Sequence, residues 1–326
     1  MLRHRKSKSW APAVVTGLLV AAVLAGCGGS DKGPAPGTNG LEKTDLKVGI
    51  LPIPDAATVY IAKSKGYFAA EGLNVTPVVL TNGSETVSRL VSGSVDIAYS
   101  AYVPIIQAAS SGVRVRVICD GYRGRTDLYP IVTRPDSPIR DPRQLAGKKI
   151  GLINTKGFPS LLTDAALAGV GVPASAVHLV EIPYPNMPAA LQNGSIDAAF
   201  MTEPYLSQSR KTFGARVVVD TMSGPTADLP VGGYVSSPRF VTGNPKTLAA
   251  FDRAIAKAQA AAADRTLVGQ TLPMYVHGLS PSVAQSITLG VFPSSLDPAQ
   301  LQRVADLMTR FGAIPKHFDV QQLLRS

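Results

Sequence analysis

Tryptophan is almost missing from this chain: one residue in 326, Trp10, close to the N-terminus. A tryptophan-lined cage for a quaternary amine is therefore excluded from the rest of the sequence, which leaves a weaker tyrosine cage as an alternative. Cysteine occurs only twice, at Cys27 and Cys119, too few for a disulfide-stapled scaffold. Histidine is scarce as well. Of the four, His4 lies at the start, and His178, His277 and His317 stand far apart without a neighbouring acid or nucleophile motif. No metal-ligand spacing, phosphate loop or G-x-S-x-G elbow occurs. Charged residues make up 17% of the chain, with no basic run interleaved with aromatics past the first few residues, so a nucleic-acid partner has no support. Beyond residue 27 no apolar run is long enough to cross a bilayer.

What is present begins with an address. Arg3, Arg5, Lys6 and Lys8 form a positive block, residues 11–25 an apolar core, and Leu24-Ala25-Gly26-Cys27 resembles the bacterial lipobox. The expectation is a lipoprotein signal over residues 1–26, with Cys27 lipidated as the first mature residue and the product extracytoplasmic, anchored to the cell membrane. Removal of that segment takes four of the 32 basic residues and no acids, leaving 28 against 22, so the headline charge of +10 becomes +6. Residues 27–45, rich in Gly, Pro and Ser, read as anchor and flexible tether. With Cys27 lipidated, Cys119 has no partner.

The strongest internal signal is an echo. LVSGSVDIAY at 90–99 and LQNGSIDAAF at 191–200 share Leu-x-x-Gly-Ser-(Val/Ile)-Asp-x-Ala-aromatic at a spacing of 101 residues. Each reads as a helix end, a glycine in the left-handed position, a tight turn and a short strand. The flanking pattern repeats too: strand, helix, strand, helix, strand from residue 46, and again from residue 149. That order requires parallel strands and right-handed crossovers. The fold class is thus α/β, with two parallel-sheet lobes facing each other across a cleft and joined by two hinge crossings. Residues 46–133 plus 232–326 form lobe 1 and residues 134–231 lobe 2, with crossings at 129–133 and 232–235. Residues 58–70 are expected as one helix, with Asp55 as its cap or first-turn acid, and Ser84 is expected to cap the next. The alanine-rich helix from Asn244-Pro245 and the later helices should pack on lobe 1.

The segments AKSKGYFAAEGLNV (62–75), SGSVDIAY (92–99), LAGKKIG (145–151) and NGSIDAAFMTEPY (193–205) resemble the extracytoplasmic solute-binding proteins of ABC importers, in the nitrate, sulfonate, taurine and thiamine-pyrimidine branch. The resemblance implies a type II periplasmic-binding-protein fold, a small solute gripped between two lobes, a permease and its ATPase as partners, no cofactor, and a monomer. It leaves the solute open.

In open parallel α/β sheets, ligands sit beyond the carboxyl ends of the strands, where helix N-termini converge. In lobe 1 this picks out Asp55 and Thr58, the Asn82-Gly83-Ser84 turn, Ser100 and Tyr102. Lobe 2 offers Lys156, Gly157 and Ser160, then Tyr184, Glu203 and Tyr205. Lys156 suits an anion, whereas Asp55 and Glu203 suit a cation or hydrogen-bond donor. Each has a plainer reading: capping for Asp55 and the Asn82 turn, a solvent-facing side chain for Lys156, and a turn fixed by Pro204 for Glu203. Two other functions use the same fold, a sensor lipoprotein without a permease and a pyrimidine-synthase-like enzyme. The latter lacks the expected cysteine-rich segment and active-site histidine.

Overall fold

The computed structural model describes residues 40–325. The expected signal segment, Cys27 and most of the tether lie outside the described residues. Ten strands form two five-stranded sheets. The strands are β1 (Asp45–Ile50), β2 (Asn74–Val79), β3 (Ile97–Ala101), β4 (Arg116–Arg123), β5 (Pro130–Thr133), β6 (Lys149–Leu152), β7 (His178–Glu181), β8 (Ala198–Phe200), β9 (Arg216–Asp220) and β10 (Pro230–Ser236). The sheet orders are β2-β1-β3-β10-β4 and β7-β6-β8-β5-β9, the same topology twice. Short apolar runs such as Val48-Gly49-Ile50 and Ala198-Ala199-Phe200 are buried, as strands covered by helices on both faces must be.

The echo has a physical basis. Asp96 Oδ2 accepts from Lys47 N at 2.9 Å, and Asp197 Oδ2 accepts from Lys149 N at 2.8 Å. In both lobes the repeated aspartate thus satisfies a backbone N–H near the start of the lobe's first parallel strand, β1 or β6, and ties it to the strand that the aspartate precedes, β3 or β8. Gly93 and Gly194 hold φ of 72° and 79°, the left-handed geometry that ends each preceding helix.

The crossings differ from expectation. Residues 130–133 do not end lobe 1; as β5 they enter the second sheet antiparallel between β8 and β9, while β10 enters the first sheet antiparallel between β3 and β4. The first sheet therefore takes β10 from the returning chain, the second is built from the consecutive strands β5–β9, and the links between sheets fall at residues 124–129 and 221–229. The return strand carries Gly232-Gly233 because nothing larger fits. A Cβ on Gly232 would lie 2.8 Å from the Tyr99 hydroxyl, and one on Gly233 2.4 Å from that of Tyr102.

Two smaller expectations are corrected. Residues 58–70 do not form one helix: Gly66, at φ 72°, splits it into Ala57–Ser64 and Tyr67–Ala70. The tether ends sooner than residue 45. Glu42 accepts from Lys246 N and Thr247 N at the start of helix Pro245–Ala261, and Lys43 Nζ pairs with Asp96 at 2.6 Å. Those orphan helix donors hold the segment. The late helices pack on lobe 1 as expected. Phe251 stacks on Phe68, and Gln259 donates to the Asp120 carbonyl.

Candidate functional site

A cavity of about 60 Å³ lies between the lobes at the strand ends. Lobe 1 lines it with Leu51, Ile53, Asp55, Asn82, Gly83, Tyr99, Ala101 and Pro104, and with Val231 from β10; the other side supplies Tyr129, Ile153, Asn154, Phe158, Pro159, Tyr184 and Thr202. Most of this wall is aliphatic or aromatic. The lining holds no lysine, arginine or histidine among the described residues.

Asp55 is its centre. The turn Pro54–Ala56 follows β1, and Asp55 within it caps no helix; its carboxylate, 2% exposed, faces the tyrosines instead. Tyr99 and Tyr129 both donate to Oδ2 at 3.1 Å. No donor from another described residue reaches Oδ1. Burial pushes the acid up to about 6, and the two phenol hydrogen bonds only partly oppose this. Across the gap, Asn154 follows β6. Its carboxamide lies against Gly157, where a Cβ would sit 2.2 Å from Oδ1, and Oδ1 is buried without a partner. Two acceptors from opposite lobes thus face a small, mostly apolar space.

Of the residues expected from the sequence, Asp55, Asn82, Gly83 and Tyr184 line this cavity. Asn82 also caps helix Gly83–Val91 through Glu85 N, so Ser84, exposed, is not the cap. Thr58 and Ser100 are fully buried in lobe 1, where Thr58 bonds Tyr234 and Ser100 the Ala101 carbonyl. Tyr102 is turned inward as well, donating to Asp120 Oδ1 at 2.7 Å. Lys156 is exposed on its loop and contributes no charge to the cavity. Ser160 Oγ accepts from Gly157 N at 2.8 Å, so both serve the start of helix Phe158–Gly169 while Asn154, Phe158 and Pro159 form the wall. Tyr205 stacks on Tyr184, with centroids 5.9 Å apart, and lines an outer groove of about 700 Å³ instead.

Glu203 is fully buried and does not line the cavity. Its carboxylate accepts from Ser207 N at 3.0 Å, from Ser207 Oγ and, across the lobes, from Thr288 N at 2.9 Å. Burial raises its pKa against those three donors. Tyr99 and Tyr129 were missed as site residues, whereas Asn154 opens the 154–160 loop that the strand-end rule already points to. The only available signal for the two tyrosines was their position at or just beyond strand ends.

Comparison with known proteins agrees with this architecture. A Bacillus subtilis protein named for aliphatic sulfonate binding is 27% identical over 325 residues, covering 94% of this chain and 93% of the relative. The aliphatic sulphonate binding protein SsuA of Escherichia coli superposes with a TM-score of 0.71 at 20% identity, over 86% of this chain and 97% of that one. The nitrate-binding protein NrtA of Synechocystis PCC 6803 gives 0.73 at 17%, over 87% of each. The fold is that of the periplasmic binding proteins. The family model described as NMT1/THI5 like matches residues 53–265, more than half of the sequence, and the chain belongs to that family.

Proposed function

We propose that this chain is the extracytoplasmic solute-binding component of an ABC importer, anchored through a lipid on Cys27, which closes its lobes over a small polar solute and hands it to a permease driven by its ATPase. Family membership and the sulfonate- and nitrate-binding relatives support the class. One observation carries the reading for this chain: a cavity at the facing strand ends, with a buried polar acceptor from each lobe, Asp55 and Asn154. Such a site gains its contacts only when the lobes meet, so ligand binding and closure are coupled.

The test is a thermal-shift screen of the purified full chain in detergent against sulfonates, taurine, nitrate, amines, aminopyrimidines and amino acids. A solute at a hundred times its dissociation constant should stabilise the protein by about 2.7 kcal/mol. Asn154→Ala, if it weakens binding about tenfold, should cut that stabilisation to about half while leaving the unliganded melt within a few degrees. A panel with no stabilising solute, or a shift indifferent to Asn154, would remove the cavity from the function.

A further inference from the structure

We infer that the cavity takes a compact cation bearing N–H donors, an ammonium or amidinium group, held by Asp55 Oδ1 from one lobe and Asn154 Oδ1 from the other, and that it refuses sulfonate and nitrate. The inference rests on the solute-binding reading and names the chemistry of the solute. Both open positions are acceptors. Asp55 Oδ2 is saturated by Tyr99 and Tyr129, whereas Oδ1 takes no donor from another described residue; Asn154 Oδ1 is buried and unpaired. A buried acceptor left empty is costly, so a ligand that donates to Asn154 Oδ1 removes that cost and at the same time brings a partner to the buried Asp55 carboxylate.

Charge points the same way. Tyr99 and Tyr129 bond Asp55 directly, and Tyr122, Tyr184, Tyr234 and Tyr275 lie within electrostatic reach of it. Their own ionisation is pushed up by burial and by the neighbouring carboxylate, so they remain neutral donors and ring faces. Lys156, the one cation the sequence offered to an anion here, is exposed outside the lining. A sulfonate or nitrate would therefore place a second negative charge beside a buried carboxylate with no cation to offset either. A cation supplies that missing partner and meets aromatic faces on Tyr129, Phe158 and Tyr184. About 60 Å³ accommodates only a handful of heavy atoms. That limits the buried part to a group the size of acetamidinium.

The experiment is isothermal titration of the full chain in detergent, with acetamidinium, guanidinium and methylammonium chlorides in one arm and sodium methanesulfonate and nitrate in the other. Saturable binding is expected in the cation arm alone. Affinity should fall about tenfold per pH unit once the pH drops below the range where Asp55 ionises in the complex. Asp55→Asn and Asn154→Ala should each weaken it at least about tenfold, which is the effect of one lost hydrogen bond of about 1.4 kcal/mol; a melting curve on each variant shows that it is folded. Saturable anion binding that Asn154→Ala abolishes would overturn the inference and leave the solute-binding reading intact. No binding in either arm also overturns it. Binding of any probe that ignores both variants counts against the cavity itself, and so against both.

Discussion

Asp55 is an acid buried without a cation, and its energetics follow from that alone. Its folded-state pKa, near 6, lies above the ordinary carboxylate value of 3.8. The folded protein therefore holds the proton over a wider range than the unfolded chain. Stability is greatest below about pH 4, declines as pH rises toward 6, and is level above it. The lost increment is of order 3 kcal/mol, from roughly two pKa units at 1.36 kcal/mol each, with no discount for screening because the group is 2% exposed. Asp120 and Asp164 are also pushed to about 6 by burial, so the wild-type profile sums several acids. The difference between Asp55→Asn and wild type isolates this one. We expect the variant to melt higher at pH 7.5, with the gap closing by pH 4 in thermal denaturation of the unliganded protein. A gap that does not change with pH would show that the carboxylate is solvated.

At the scale of single elements, the return strand β10 and the repeated aspartates decide the packing. Gly233 lies under the Tyr102 ring and 2.6 Å, measured from a hypothetical Cβ, from the Cys119 carbonyl. Neither neighbour can retreat, since Tyr102 is pinned to Asp120 and Cys119 sits in β4. Gly233→Ala should therefore cost about 2–3 kcal/mol, read as a lowered denaturation midpoint. Asp96→Ala and Asp197→Ala should each cost about 1–2 kcal/mol by orphaning the same strand N–H in opposite lobes. Comparable effects, with up to about 1 kcal/mol more for Asp96 because it also pairs with Lys43, would confirm that the two residues are equivalents; an effect in only one lobe would contradict it. The echo made these elements legible in the sequence, because turn glycines and strand-start aspartates obey local rules. The cavity wall was less legible. Strand β3 is buried on both faces, so no polar alternation shows that Tyr99 faces the cavity and Ser100 does not. Asp55 had two good local uses, and only the approach of Tyr99 and Tyr129 from distant segments selects between them. Glu203 and Lys156 have the charges a site would use, yet tertiary packing buries one across the lobe contact and leaves the other in solvent.

For the whole molecule, the question is what holds the lobes together around so small a space. Among the described residues, two side chains bridge them near the outer groove. Lys211 Nζ donates to Ser282 Oγ at 2.7 Å, and Glu203 accepts from Thr288 N at 2.9 Å. The first pair is exposed, and such contacts contribute at most about 1 kcal/mol. Glu203 is fully buried, and removing it orphans Ser207 N and Thr288 N at about 1–3 kcal/mol each. The Glu203 contact should therefore dominate. We expect Glu203→Ala to open the unliganded protein, seen as a larger radius of gyration by small-angle scattering, and to weaken ligand binding about tenfold or more. Lys211→Ala should change neither measurably. Because burial raises the Glu203 pKa in the closed form, opening into water lowers it, so mild acid should favour closure in wild type and have less effect in Glu203→Gln. Scattering profiles of Glu203→Ala and wild type that superpose at every pH would show that the lobes are held by the cavity wall and the two links alone.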